Sequence, residues 1–136
     1  MFVPKRAEKK YKIGMTFGGF DLCHVGHTNL LRNASELCDT LIVCVSTDEY
    51  MVRNKQVPPL LQHYHRVKLV ELTGYATIID TQDLEGKLPL INKYDPDVLL
   101  VGDDWDELTY EGEEYCETLY LPRTPWVSTT TLRMLI

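Results

Sequence analysis

Apolar positions along the chain fall into five short runs, separated by stretches with helical spacing. Tyr11–Phe17 is rich in β-branched and aromatic residues and reads as a buried strand. Leu30, Leu31, Ala34, Leu37 and Cys38 then recur along one helix face, which predicts a helix over Val25–Leu37. Asp39–Ser46 is a nearly continuous apolar run, as in a strand covered on both faces of a parallel sheet. Thr47–Pro59 is polar, and Pro58-Pro59 predict an irregular segment there. Helical spacing returns over Gln62–Leu72, with Gly74 as its stop. Ala76–Asp80 reads as a third strand. Leu84–Lys93 reads as an amphipathic helix interrupted near its start by Pro89. Asp97–Val101 and Thr118–Leu121 are the fourth and fifth strands, with loop and helix expected over Trp105–Cys116 between them. Ser128 caps a last helix through Leu135.

Alternation of strand and helix implies an α/β architecture: a Rossmann-like, doubly wound sheet of five parallel strands in a single domain over residues 11–136. Residues 1–10 read as a flexible N-terminal extension. Ligands of such sheets bind beyond the carboxyl ends of the strands, where strand order reverses. The turns Gly18–His27, Gly102–Trp105 and Arg123–Thr130 each follow a strand and gather on that edge.

Composition narrows the partners. The chain has 136 residues, 44% hydrophobic and 25% charged, with net charge −6, which argues against a broad nucleic-acid surface. No apolar run approaches the roughly 18 residues of a membrane span. The N-terminus is basic without the apolar centre of a signal peptide, so a cytoplasmic protein is expected. Cys23, Cys38, Cys44 and Cys116 form no CxxC pair, so reduced thiols and no protein-held metal are expected.

The chemistry centres on Gly18–His27. Gly18-Gly19 can take positive φ and let backbone approach a ligand. His24 and His27 straddle a helix start, whose free N–H groups and partial positive charge suit a phosphate. Glycine turns before helices are common, and a histidine pair arises by chance; here glycines, histidines and strand-to-helix context coincide. No Gly-Lys-Ser/Thr follows, so phosphate contacts fall to histidine and backbone. Arg123-Thr124 with Ser128-Thr129-Thr130 offers a second cradle of guanidinium and hydroxyls beside a helix N-terminus.

The run Gly18-Gly-Phe-Asp-Leu-Cys-His-Val-Gly-His27 resembles the HxGH nucleotidyltransferases, and within them the cytidylyltransferases. The likeness continues through Ser46-Thr-Asp-Glu-Tyr50, Gly102-Asp-Asp-Trp105 and Arg123-Thr-Pro125, covering roughly residues 11–135, on the branch whose acceptor is glycerol 3-phosphate. It implies transfer of CMP from CTP to a phosphorylated alcohol, giving CDP-glycerol and pyrophosphate, with Mg²⁺ arriving on the nucleotide and a homodimer as the assembly. It assigns catalysis to His24, His27, Lys55 and Arg123. The nucleotide falls to Gly18, Gly19, Phe20, His24, Gly26, His27, Asp103, Arg123, Thr124, Ser128, Thr129 and Thr130. The acceptor falls to Asp21, Arg53, Lys55, Arg66 and Lys87. Asp21 reads equally as a loop cap. Three positions depart from the family pattern: Gly19 replaces Thr or Ile, Trp126-Val127 replaces a glycine-containing loop, and Gly74 replaces an arginine facing the active site. Two further readings stay open: an ATP-dependent or different-acceptor transferase, and a nucleotide-binding module without catalysis.

Overall fold

The computed structural model describes residues 9–56, 58–102 and 112–122, with Lys55 described by its backbone alone. The elements run β1 (Tyr11–Gly18), a 3-10 turn (Asp21–Cys23), α1 (Val25–Ser35), β2 (Cys38–Ser46), α2 (Asp48–Lys55), α3 (His63–Thr73), β3 (Ile78–Gln82), α4 (Leu88–Tyr94), β4 (Val98–Gly102) and β5 (Glu117–Leu121). The strands form one sheet of order β3-β2-β1-β4-β5, and every pairing is parallel.

Burial explains the order. β1, β2 and β4 are the central strands, and from Leu41 to Ser46 every residue of β2 is buried. Such strands need cover on both faces. Leu31 and Ala34 of α1 and Val70 of α3 pack with Leu41, Val43, Val45, Val98 and Leu100 on one face. Leu90 and Ile91 of α4 pack with Met15, Ile42, Cys44, Leu99 and Val101 on the other. The five expected strands are all present, within two residues of their expected bounds.

Two helix expectations need correction. The segment expected to be irregular holds α2, capped by the Thr47 hydroxyl, which accepts from Tyr50 N–H at 3.1 Å. Its acidic first turn, Asp48-Glu49, complements the helix dipole. Pro58-Pro59 lie beyond its end, where Gln56 turns left-handed. The helix expected from Leu84 starts at Leu88, and Pro89 sits in its first turn, where a missing N–H costs nothing. Gly74, at φ 77°, ends α3 as expected. The expected last helix and most of the 105–116 segment lie outside the described residues; Gly112–Tyr115 form a turn.

The winding reverses between β1 and β4, which pair only over Gly14↔Val98 and Met15↔Leu99. Beyond that ladder Thr16–Gly18 and Leu100–Gly102 run on to the carboxyl edge. Crevices of open α/β sheets form at this kind of switch point.

Candidate active site

The turn after β1 is built by close packing rather than by glycine flexibility. Neither Gly18 nor Gly19 has positive φ; Phe20 (54°), Leu22 (65°) and Cys23 (35°) do. The glycines are there for space. A Cβ at Gly18 would meet the Phe20 ring at 3.0 Å, and one at Gly19 would meet Met51 Cε at 2.6 Å. The buried Asp21 carboxylate accepts from Leu60 N–H (2.8 Å) and Leu61 N–H (3.0 Å).

The turn delivers two imidazoles to the first turn of α1. His24 is the N-cap: its Nδ1 accepts from Gly26 N–H at 3.0 Å, and its carbonyl accepts from Thr28 N–H at 3.1 Å. With Nδ1 accepting, the ring proton sits on Nε2, which is left as a donor. Burial pushes the His24 imidazole below its ordinary pKa, which favours the neutral ring. His27 stacks on it, centroids 3.9 Å apart and planes 16° from parallel. Phe20 meets His27 edge-on at 5.3 Å. Both rings stand where the helix dipole favours an anion.

The basic residues divide. Lys87, buried just before α4, places its Nζ 5.6 Å from the Phe17 ring centroid, at the carboxyl end of β1. Arg53 is exposed, lies over the Tyr50 ring and donates to Leu84 O at 3.0 Å. Arg66 is wholly buried beneath the turn, its three nitrogens on protein acceptors, so it is not at an acceptor-facing surface. Gly74 lies near the opposite end of the sheet, lining a groove with Ser35, Cys38 and Asp39 at the start of β2. An arginine at position 74 would therefore stand away from His24 and His27. The side chain of Lys55, and Asp103, Arg123, Thr124, Ser128, Thr129 and Thr130, lie outside the described residues. β4 and β5 end at Gly102 and Leu121, immediately before those segments.

Sequence reasoning missed two contributors. Asp48 pairs with Arg66 at 2.6 Å, and Met51 backs Gly19. The signal was Thr47-Asp48-Glu49, a helix N-terminus signature that fixes which face of α2 meets the turn.

A doubly wound sheet with a histidine pair at the helix start following its first strand is the arrangement that the resemblance to the nucleotidyltransferases implies. Comparison with known proteins places the chain further. The Cytidylyltransferase-like family model matches residues 15–134, and the chain belongs to that family. It is 40% identical over 120 residues to a protein of Bacillus spizizenii named glycerol-3-phosphate cytidylyltransferase, covering 88% of this chain and 92% of that one. It is 36% identical over 103 residues to a protein of Thermococcus kodakarensis named FAD synthase, covering 71% of this chain and 66% of the other. The lipopolysaccharide core biosynthesis protein of Thermoplasma volcanium shares the fold, with TM-score 0.69 at 20% identity over 86% of this chain and 99% of that one.

Proposed function

We propose that the chain is a glycerol-3-phosphate cytidylyltransferase, which moves CMP from CTP to glycerol 3-phosphate and releases pyrophosphate. The observation that carries this reading is the stacked His24–His27 pair at the N-terminus of α1, in a chain whose relatives at this length carry that name.

The acceptor is a phosphomonoester, largely dianionic at neutral pH because its second pKa is about 6. Its oxygen attacks the α-phosphorus of CTP directly; a new P–O bond forms, and the bond to the β-phosphate bridge breaks with its electrons going to pyrophosphate. No general base is required. The barrier lies in anion repulsion and in charge growing on the leaving group, so positioned donors do the work. His24 offers Nε2–H without needing a proton from solvent, and His27 stands beside it. Lys87 supplies positive charge at the end of β1. Mg²⁺ carried in on the nucleotide would, when bound, lower that repulsion. A homodimer and a cytoplasmic location belong to the same proposal and rest on the family resemblance.

The test is a panel of CTP and ATP against glycerol 3-phosphate, choline phosphate, ethanolamine phosphate and a sugar phosphate, read by pyrophosphate release. CTP with glycerol 3-phosphate should give the highest kcat/KM. The ATP arm tests the ATP-dependent reading that the sequence leaves open. CTP binding without pyrophosphate in any arm would leave a nucleotide-binding module.

A further inference from the structure

We infer that Arg66 is a positioning residue, which locks the histidine turn and the loop before α3 into one register; this rests on the function proposed above. Its guanidinium is 0% exposed. Nη1 donates to Gly19 O (2.9 Å) and Ser46 O (2.7 Å), Nε to Leu61 O (2.9 Å) and Nη2 to Asp48 Oδ1 (2.6 Å). Those four acceptors belong to the β1–α1 turn, the end of β2, the loop before α3 and the first turn of α2. Asp21 answers from the turn by accepting Leu60 and Leu61 N–H. Leu61 is thus held by its N–H from Asp21 and by its C=O from Arg66.

The ion pair is buried on the Arg66 side alone, Asp48 being 37% exposed, and the other three acceptors are backbone carbonyls. What Arg66 supplies is a planar fork that fixes several carbonyls relative to one another. The turn needs such fixing, because Phe20, Leu22 and Cys23 all have positive φ without being glycine. Strained backbone of this kind persists only where its surroundings over-determine it. His24 is the very next residue, so release of Gly19 O and Leu61 O lets the strain relax into the imidazole pair.

The experiment compares the parent with Arg66→Lys, which keeps the charge and loses the fork, and with Asp21→Asn, which weakens the other side of the clamp. Each is assayed for kcat and both KM values, and His24 and His27 are followed by imidazole ¹H–¹⁵N spectra without substrate. Arg66→Lys should lower kcat per folded molecule by about tenfold to a hundredfold, as a misplacement of about 1 Å does. Both KM values should stay within about threefold, because the fork touches neither substrate. The His24 and His27 signals should move. Unmoved signals and near-parental kcat, with only a lower Tm, would overturn the inference. If Arg66→Lys does not fold, Asp21→Asn decides by the same signals. A parent inactive across the substrate panel removes the proposed function, yet leaves the spectral test of the clamp intact.

Discussion

Met51 occupies the space that Gly19 gives up. A Cβ at Gly19 would lie 2.6 Å from Met51 Cε and 2.9 Å from its Sδ, and Met51 is 4% exposed. Where the HxGH pattern carries Thr or Ile, this chain carries a glycine backed by a thioether from α2. The pair should therefore be energetically coupled. Gly19→Thr overpacks the turn and should cost about 1–3 kcal/mol. Met51→Ala leaves a cavity and should cost about 2–5 kcal/mol. The double variant should fall short of their sum by about 0.5 kcal/mol or more in urea titrations, since contacting residues are not additive. Strict additivity would dissolve the pairing.

The His24 tautomer gives a pH prediction. Its folded pKa is lowered by burial from the ordinary 6.5. Above that value both folded and unfolded chains hold a neutral ring, and His24 contributes no slope. Below it the unfolded chain takes up the proton first, so stability falls as pH falls through about 6.5 and levels off below the folded pKa. Thermal melts between about pH 7.5 and 5.5 should show a smaller loss in His24→Asn than in the parent. Long-range ¹⁵N spectra at neutral pH should show Nδ1 bare and Nε2 protonated. The reverse tautomer would contradict the Gly26 N–H contact.

Much of this was legible in the sequence because burial on both faces leaves a strong signature. The apolar run Asp39–Ser46 suits a strand covered on both faces, and the five strands follow from such runs. The histidine pair was legible too, because it coincided with a strand-to-helix turn. What was not legible was long-range and polar. Arg66 is 47 residues from the Gly19 carbonyl it holds, and nothing in a lone arginine tells a buried clamp from a surface charge. α2 was hidden by the prolines downstream, although Thr47 announced it. Gly18-Gly19 can take positive φ, but packing against Phe20 and Met51 is what calls for those glycines, and the positive φ falls on Phe20, Leu22 and Cys23.

Thr47 offers a local test of α2. Its Oγ1 accepts from Tyr50 N–H at 3.1 Å and donates to Asp83 Oδ1 at 3.2 Å, tying the helix start to the end of β3. Thr47→Ala leaves one orphan helix donor and should cost about 1 kcal/mol. Thr47→Ser keeps the oxygen and should cost less than half of that. Because α2 carries both Asp48 and Met51, hydrogen exchange at Gly19–Cys23 should rise in the alanine variant alone. Unchanged exchange there would mean that α2 does not brace the turn.

His27 carries the sharpest kinetic expectation. Its ring is stacked on that of His24, so under the proposed function the two would meet one polyphosphate from adjacent positions. Charge growing on departing pyrophosphate is what such donors stabilise, and deleting one typically costs on the order of 10²–10³ in rate. His27→Ala should therefore lose kcat on that scale while still binding CTP, measured by calorimetry. Because the rings brace each other, His24→Ala with His27→Ala should lose less than the product of the single losses. A His27→Ala enzyme turning over within about threefold of the parent would remove this histidine from the chemistry, as one donor is expected to matter far more than that.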